Sequence, residues 1–190
     1  MFLMEDDINT CLQTLQKGGL ILYPTDTVWG IGCDATNPIA IARIFHLKKR
    51  EDSKAMIVLI SDEQELLNYV QDPTVQVFDY IKGIHKPTTV IYTKAKNLPH
   101  NLIAADGSIA IRICKDPFCK KLIQLFGKPI VSTSANISGY PTPLSFGDIS
   151  LDISEGVDYV VKHRQEETTL QPPSSIIKWD DEGNLIIVRP

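Results

Sequence analysis

The stretch that decides the fold is Pro129-Ile130-Val131-Ser132-Thr133-Ser134-Ala135-Asn136, in which a short apolar strand runs directly into a polar segment. A helix is predicted just before it, because Asp116-Pro117 is a favourable helix start and Gly127 a favourable end. In α/β sheets, ligands bind beyond the carboxyl ends of the strands. The polar groups of residues 132–136 are therefore expected at a binding site, although serine and asparagine also favour simple polar turns.

Helices and strands alternate along the rest of the chain. Helices are predicted to begin near residue 8 and at Asn37, Ser61, Asp72 and Asp116, from apolar spacing and capping residues. Strands are predicted at residues 20–23, 28–32, 56–60, 88–92, 109–113, 130–131, 157–161, 175–179 and 185–189, from short apolar or β-branched runs. This order predicts one α/β domain over residues 1–190, with a twisted, mostly mixed or antiparallel sheet and flanking helices.

The composition is that of an ordinary globular domain. The chain has 190 residues, a net charge of −4 and four cysteines. That charge argues against a general nucleic-acid coat protein, which needs an excess of lysine and arginine, but it permits a local basic cleft. The cysteines and histidines show no zinc-ligand spacing, and no apolar run reaches the ~20 residues of a membrane span. We therefore expect a reduced, cytoplasmic protein without a membrane partner.

The basic run Leu47-Lys48-Lys49-Arg50 follows a predicted helix and has two interpretations. Cations near a helix C-terminus are favoured by the helix dipole and need no ligand. Alternatively, the chain leaves the helix here, so that Lys48 and Arg50 point the same way and face one set of phosphate oxygens. The sequence alone leaves both open.

Two other polar features lie beside predicted strands. Tyr23-Pro24-Thr25-Asp26-Thr27 places hydroxyls and a carboxylate directly after a buried strand. Arg112 lies inside an apolar strand, where an unpaired charge would be costly. It must therefore face either a partner carboxylate or a carboxylate ligand. The segment Gly30-Ile31-Gly32-Cys33-Asp34-Ala35 matches a dinucleotide pattern only weakly, and we interpret its glycines as positions of close backbone packing. There is no P-loop and no recognisable catalytic triad.

Together these segments resemble the YrdC family of threonylcarbamoyl-AMP synthases. The resemblance rests on Tyr-Pro-Thr-Asp-Thr-Val-Trp-Gly at 23–30, the KxR motif at 48–50, the SxN motif at 134–136, Pro-Ser-Ser-Ile-Ile at 173–177 and Val-Arg-Pro at 188–190. It covers nearly the whole chain in the family's order. A related branch of uncertain activity lacks the SxN motif, so Ser134 and Asn136 favour the synthase. The chain resembles the short, single-domain form of the family.

The resemblance implies a YrdC-like fold with a concave basic cleft, and a nucleotidyltransferase reaction. L-threonine, bicarbonate and ATP would give threonylcarbamoyl-AMP and pyrophosphate, and the product would supply the machinery that makes t6A in tRNA. By resemblance, Lys48 and Arg50 would be catalytic. The implied ATP ligands are Lys48, Arg50, Lys54, Thr89, Ser134, Asn136 and Arg189, and the implied threonine ligands are Thr27, Arg112 and Ser174. Mg²⁺ would come with ATP and be held largely by its phosphates, with no protein ligand assigned.

The chain also departs from the family pattern. Many members have Trp-Pro-Gly-Pro where this chain has Ile84-His85-Lys86-Pro87. The proline that often follows the KxR motif is replaced by Glu51. Some members have a histidine at the position of Leu59. Two other functions stay open. The local basic content of residues 43–54 and 82–96 is compatible with an RNA-binding module without synthase activity. A carbamoyl-adenylate enzyme with another acceptor, such as a hydrogenase-maturation module, is also compatible but usually occurs in much longer chains.

Overall fold

The computed structural model describes residues 2–50, 56–73, 75–84, 86–167, 172–180 and 182–190. Within these residues, nine strands form one mixed sheet. The strands are β1 (Ile21–Tyr23), β2 (Gly30–Gly32), β3 (Ile57–Ile60), β4 (Thr88–Tyr92), β5 (Ile109–Ile113), β6 (Ile130–Ser134), β7 (Tyr159–Val160), β8 (Ser175–Trp179) and β9 (Leu185–Arg189). Their order across the sheet is β7-β1-β2-β6-β3-β5-β4-β8-β9. Three neighbouring pairs are parallel, β1 with β7, β3 with β5 and β4 with β8, and the others are antiparallel.

The helices are α1 (Phe2–Gln16), α2 (Pro38–Leu47), α3 (Leu66–Tyr69), α4 (Val75–Gly83), α5 (Pro117–Phe126) and α6 (Leu151–Ser154), with a 3₁₀ turn at Phe146–Asp148. Helix α1 packs against α5. The buried residues of these helices include Ile8 and Leu15 of α1 and Leu122 of α5. Each such side chain stabilises the fold by about 1.5–3 kcal/mol relative to an exposed one.

Two helix starts agree with the sequence. The Asn37 side chain accepts hydrogen bonds from the backbone N–H groups of Ile39 (3.0 Å) and Ala40 (3.2 Å), with Pro38 as the first helical residue. Asp116 caps α5 by accepting from Cys119 N–H at 2.9 Å. Helix α5 ends at Gly127, whose φ of 71° is in the left-handed region that glycine adopts readily. The predictions of α2 and α5 are confirmed.

Some predicted boundaries are wrong. Strand β6 was predicted to end at Val131 but continues through Ser134, because pairing with β2 and β3 on both sides outweighs the preference of serine for turns. The helix predicted from Ser61 is reduced to the single turn of α3, and the helix predicted from Asp72 begins at Val75. Strands 28–32 and 157–161 are shorter than predicted.

No helix in the described ranges is both long enough and apolar enough to cross a membrane. All four cysteines are buried and free. The same described residues contain no group of three or more His, Cys, Asp or Glu side chains that could hold a metal ion.

Candidate functional site

The side chains of the three residues of the KxR run have different surroundings at the end of α2. Lys48 is the helix C-cap, and Lys49 has a positive φ of 49°, so the chain turns sharply before Arg50. The backbone N–H of Arg50 then donates to the Phe45 carbonyl at 2.9 Å. Because of this turn, Lys48 points into the protein interior, whereas Lys49 and Arg50 each line a different cavity.

Arg50 lines a cavity of about 300 Å³, which we call the arginine cavity. It contains three guanidinium groups, from Arg50, Arg112 and Arg189, and a set of hydroxyl side chains from Thr27, Ser132, Thr133, Ser134, Thr142 and Ser174. Its remaining lining is mostly apolar and includes Met56 and Ile57. This combination suits an anionic substrate, since arginine binds carboxylates and phosphates through paired N–H groups.

Arg112 lies in β5 with its side chain only 3% exposed. One terminal nitrogen is 3.1 Å from Asp26 Oδ1, which is close enough for an ion pair although the angle is not that of a hydrogen bond. Another terminal nitrogen donates to Thr27 Oγ1 at 3.4 Å. The buried Nε has no hydrogen-bond partner among the described residues. The prediction that Arg112 faces a carboxylate is confirmed by Asp26.

Asp26 was not among the predicted site residues. It belongs to the polar segment after β1 that the sequence analysis described. Its pairing with Arg112, however, joins positions 86 residues apart. Leu59, where some family members have histidine, is fully buried in β3 opposite Arg112 in the strand register. An apolar side chain therefore occupies that position beside the site.

Ser174 connects two other predicted residues. Its carbonyl accepts hydrogen bonds from Arg189 Nε at 3.0 Å and Arg189 Nη2 at 2.7 Å. Its hydroxyl is 2.8 Å from Thr89 Oγ1. Thr89 is fully buried behind Ser174 and does not line the arginine cavity, whereas Ser174 and Arg189 do. Thr89 is thus placed to support Ser174, and its assignment as an ATP ligand stays a prediction.

The positive groups of the arginine cavity affect one another. Burial, with the nearby Arg112 guanidinium, lowers the pKa of Arg189. Burial also lowers the pKa of Arg50. Both lowered pKa values mean that the charged form of each arginine is less favourable here than in water. A bound anion would stabilise the charged form.

The SxN motif forms a compact network at the end of β6. The Ser134 hydroxyl donates to Asn136 Oδ1 at 2.5 Å, and Asn136 Nδ2 donates to the carbonyls of Tyr140 (2.7 Å) and Ile137 (3.0 Å). Ser134 lines the arginine cavity, whereas Asn136 lines a second cavity of about 570 Å³. We call it the proline cavity, because Pro141 and Pro143 line it together with Lys49, Tyr140 and Asp148. Thr142 lines both cavities.

The buried side chain of Lys48 is hydrogen-bonded to the backbone of this network. Its Nζ donates to the carbonyl oxygens of Ser134 and Asn136, the latter at 2.6 Å. In this structure Lys48 Nζ bonds to backbone carbonyls while Arg50 lines the arginine cavity, and the expectation that both face one set of phosphate oxygens stays a prediction. The assignment of Lys48 as an ATP ligand stays a prediction.

The described structure thus gathers Thr27, Arg50, Arg112, Ser134, Ser174 and Arg189 around one cavity. Asn136 lies on the neighbouring cavity, and Lys48 and Thr89 lie behind the site. Lys54 lies outside the described residues, as do Glu51 and His85. Such a cavity, on a mixed α/β sheet and lined by arginines and hydroxyl-bearing residues, has the chemistry that suits an anionic small molecule.

Comparison with known proteins identifies the class more closely. The sequence model of the Sua5/YciO/YrdC family, described as telomere recombination, matches residues 13–190. A protein of Pseudoalteromonas translucida (strain TAC 125) named threonylcarbamoyl-AMP synthase is 36% identical over 160 residues, which cover 83% of this chain and 86% of that protein. The chain belongs to the Sua5/YciO/YrdC family, and the predicted family resemblance is confirmed.

Solved structures agree with this assignment. Sua5 of P. abyssi, in a crystal structure with L-threonine, superposes with a TM-score of 0.85 at 25% identity, over 96% of this chain and 53% of that one. The chain therefore spans about half the length of that relative. YciO of E. coli superposes with a TM-score of 0.82 at 25% identity, over 96% of this chain and 87% of that one. The predicted fold class, a twisted mixed α/β sheet with flanking helices, is confirmed.

Proposed function

We propose that this chain is a threonylcarbamoyl-AMP synthase, which makes threonylcarbamoyl-AMP and pyrophosphate from L-threonine, bicarbonate and ATP. The observation that carries the proposal is the arginine cavity, which is lined by three arginines and six hydroxyl-bearing residues. The three substrates are all anionic or carry a carboxylate, so they match this lining. The name of the P. translucida relative and the threonine complex of P. abyssi Sua5 support the same reaction.

In this proposal, threonine binds beside Arg112. Arg112 lines the arginine cavity, and its charge would attract the threonine carboxylate, while Asp26 and Thr27 hold the guanidinium in place. The Ser174 hydroxyl, fixed by Thr89, offers a further hydrogen bond to the substrate. Thr27, Arg112 and Ser174 are the residues we assign to threonine.

The phosphates of ATP would be neutralised by Arg50 and Arg189, with the Ser134 hydroxyl beside them. The threonine amine first captures carbon dioxide from bicarbonate as a carbamate, with loss of water. A carbamate oxygen then attacks the α-phosphorus, the bond from that phosphorus to the bridging oxygen breaks, and pyrophosphate leaves. Such a transfer depends on positioning and on neutralising phosphate charge, and it uses no protein nucleophile. This makes the protein a nucleotidyltransferase.

Mg²⁺ fits this scheme as a companion of ATP. It prefers oxygen ligands and keeps several waters, so the phosphates would supply most of its ligands and neutralise part of their charge. The product is a mixed anhydride that a t6A-forming transferase would consume, and tRNA or another RNA is a candidate contact of that machinery. The nucleotide, the metal and these partners are all part of the proposal.

Substrate omission tests the reaction. Pyrophosphate release from ATP should require both threonine and bicarbonate, and it should fall at least a hundredfold in Arg50→Ala. The matched control is Lys121→Ala, whose exposed side chain pairs with Glu5 on α1 and reaches neither cavity. Release that ignores either substrate, or no release from the folded native chain, would contradict the proposal. The second outcome would favour the RNA-binding alternative.

A further inference from the structure

Strand β9 forms one end of the sheet, and four consecutive apolar side chains on it are exposed. Within the described residues it pairs only with β8, so its other backbone edge has no partner strand there. Leu185, Ile186, Ile187 and Val188 are 38%, 37%, 62% and 52% exposed. Single exposed apolar residues are ordinary on a protein surface, but a contiguous group of them indicates an interaction surface.

The exposed side chains lie on both faces of β9. Ile187 lies opposite the buried Ile177 in the strand register, whereas its neighbour Ile186 lies opposite the exposed Lys178. Successive side chains of a strand point to opposite faces of the sheet, so both faces carry apolar groups here. A partner that covered one face would leave the other exposed. A strand added at the free edge of β9 would contact side chains on both faces.

The free edge of β9 also lacks the usual protection against strand pairing. Edge strands of native proteins are commonly very short, or carry charged side chains or proline. Residues 185–188 contain no charged residue and no proline, and three of the four are β-branched, which favours extended structure. At the other end of the described sheet, β7 is only two residues long. Pairing with a further strand is therefore favoured at β9.

The sequence of β9 suits pairing with a second copy of itself. Two identical strands related by a twofold axis pair antiparallel, and pairing over residues 185–189 then places Ile187 opposite its own copy. Ile186 lies opposite the partner subunit's Val188, and Leu185 lies opposite the partner subunit's Arg189. The two arginines do not face each other, so the pairing opposes apolar side chains and no like charges.

We infer that β9 is a dimerisation edge, through which two copies of this chain pair antiparallel and join their sheets into one. The pairing uses the free β9 edge of both copies, so the assembly closes at two chains. A stable interface of ~1,600 Å² uses about 20–30 residues on each side. Five residues of each strand form a smaller one, and we expect a Kd in the micromolar range. The inference rests on the sheet edge and is independent of the proposed function.

Sedimentation equilibrium of the native chain tests the dimer. The average mass should rise from that of one chain towards that of two between about 1 µM and about 200 µM, without larger species. Ile187→Lys should raise the Kd at least about tenfold, because two ammonium groups then face each other at the centre of the pairing. Ile39→Lys is the matched control, since Ile39 is 75% exposed but lies on α2, and it should dimerise like the native chain.

A mixing experiment tests the register. Ile187→Lys and Ile187→Glu should each dimerise weakly alone, because like charges are opposed. An equimolar mixture should dimerise at least about tenfold more tightly than either variant, because opposite charges then face each other at the twofold axis. Both substitutions change an exposed side chain, and circular dichroism checks that each variant is folded.

Hydrogen exchange of the native chain tests the same edge without any variant. Peptides covering residues 185–189 should exchange at least about threefold more slowly at about 200 µM than at about 1 µM, while peptides from α5 should exchange equally. A native chain that stays monomeric over this range, or forms larger aggregates instead of a dimer, would overturn the inference. So would undiminished dimerisation of Ile187→Lys, no gain on mixing, or exchange in β9 that ignores concentration.

Discussion

Among single residues, Arg112 is the charged side chain of the arginine cavity whose burial is nearly complete. It is held by Asp26 and Thr27 but keeps an unsatisfied nitrogen. Arg112→Gln should raise the KM for threonine about thirtyfold, since loss of one partner of a buried charge pair costs about 2 kcal/mol or more. The KM for ATP should change much less.

Arg164→Gln is the matched control for Arg112. Arg164 pairs with Asp116 at 2.8 Å, another buried carboxylate, but it lines neither cavity. The control should leave both KM values within about twofold of the native values. A thirtyfold rise in the KM for ATP rather than threonine would reverse our assignment of the two ends of the cavity.

Lys48 gives a pH-dependent prediction. Burial and the neighbouring Arg50 lower its pKa to about 7. Below that pH the amine is protonated in both the folded and the unfolded chain. Between about pH 7 and about pH 10.4 only the unfolded chain keeps the proton, so stability rises with pH across that window. A neutral amine still has two N–H groups for the two carbonyls.

The difference in unfolding free energy between the native chain and Lys48→Met isolates this effect. Groups shared by both proteins cancel in that difference. It should shift in favour of the native chain by about 2 kcal/mol between about pH 6.5 and about pH 8.5, in urea titrations. A difference that does not change with pH would show that Lys48 stays protonated in the folded protein.

At the scale of elements, the predicted close packing around β2 is confirmed. A Cβ atom on Gly32 would lie 2.6 Å from Tyr23 Cε1 and 2.8 Å from the Val131 carbonyl oxygen. Both contacts are shorter than real Cβ atoms tolerate, so the neighbouring strands leave room only for glycine. Gly32 therefore serves sheet packing rather than a dinucleotide fingerprint.

Gly32→Ala should destabilise the protein by about 1–3 kcal/mol or more, because β1 and β6 must separate to admit the methyl group. Gly147→Ala is the control, since its added Cβ would have no neighbour closer than 3.9 Å. Urea unfolding of both variants measures the difference. Equal stability of the two variants would show that the sheet adapts more easily than these contacts imply.

The elements also show which structural features could be predicted from sequence. Local signals sufficed for α2 and α5, since their caps and prolines act within a few residues. They failed at β6, where Ser132, Thr133 and Ser134 look like a loop but pair with other strands, Ser132 with β3 and the other two with β2. Pairing partners lie far away in the sequence, so no local pattern could reveal them.

The same distinction applies to the site. The motif segments were recognisable, and five of their predicted residues line the arginine cavity together with the predicted Arg112 of β5. The direction of the Lys48 side chain and the partner of Arg112 were not predictable. Each depends on a contact across 86 residues, and in the case of Lys48 on a single left-handed residue, Lys49.

For the molecule as a whole, the proposed function requires the arginine cavity to bring threonine, a one-carbon unit and ATP together. The sheet order makes this possible, because β6 lies between β2 and β3 while β5 and β4 continue to β8 and β9. Ser174, just before β8, and Arg189, at the end of β9, complete the lining. Residues from the beginning, middle and end of the chain therefore meet at one place.

The most direct test is mass spectrometry of the reaction product, with ATP, threonine and carbon-13 bicarbonate supplied together. The expected product contains AMP, threonine and one labelled carbon, forms in step with pyrophosphate, and is lost in Arg112→Gln at low threonine. AMP and pyrophosphate without a labelled threonine adduct would show that the protein only hydrolyses ATP, and would contradict the account.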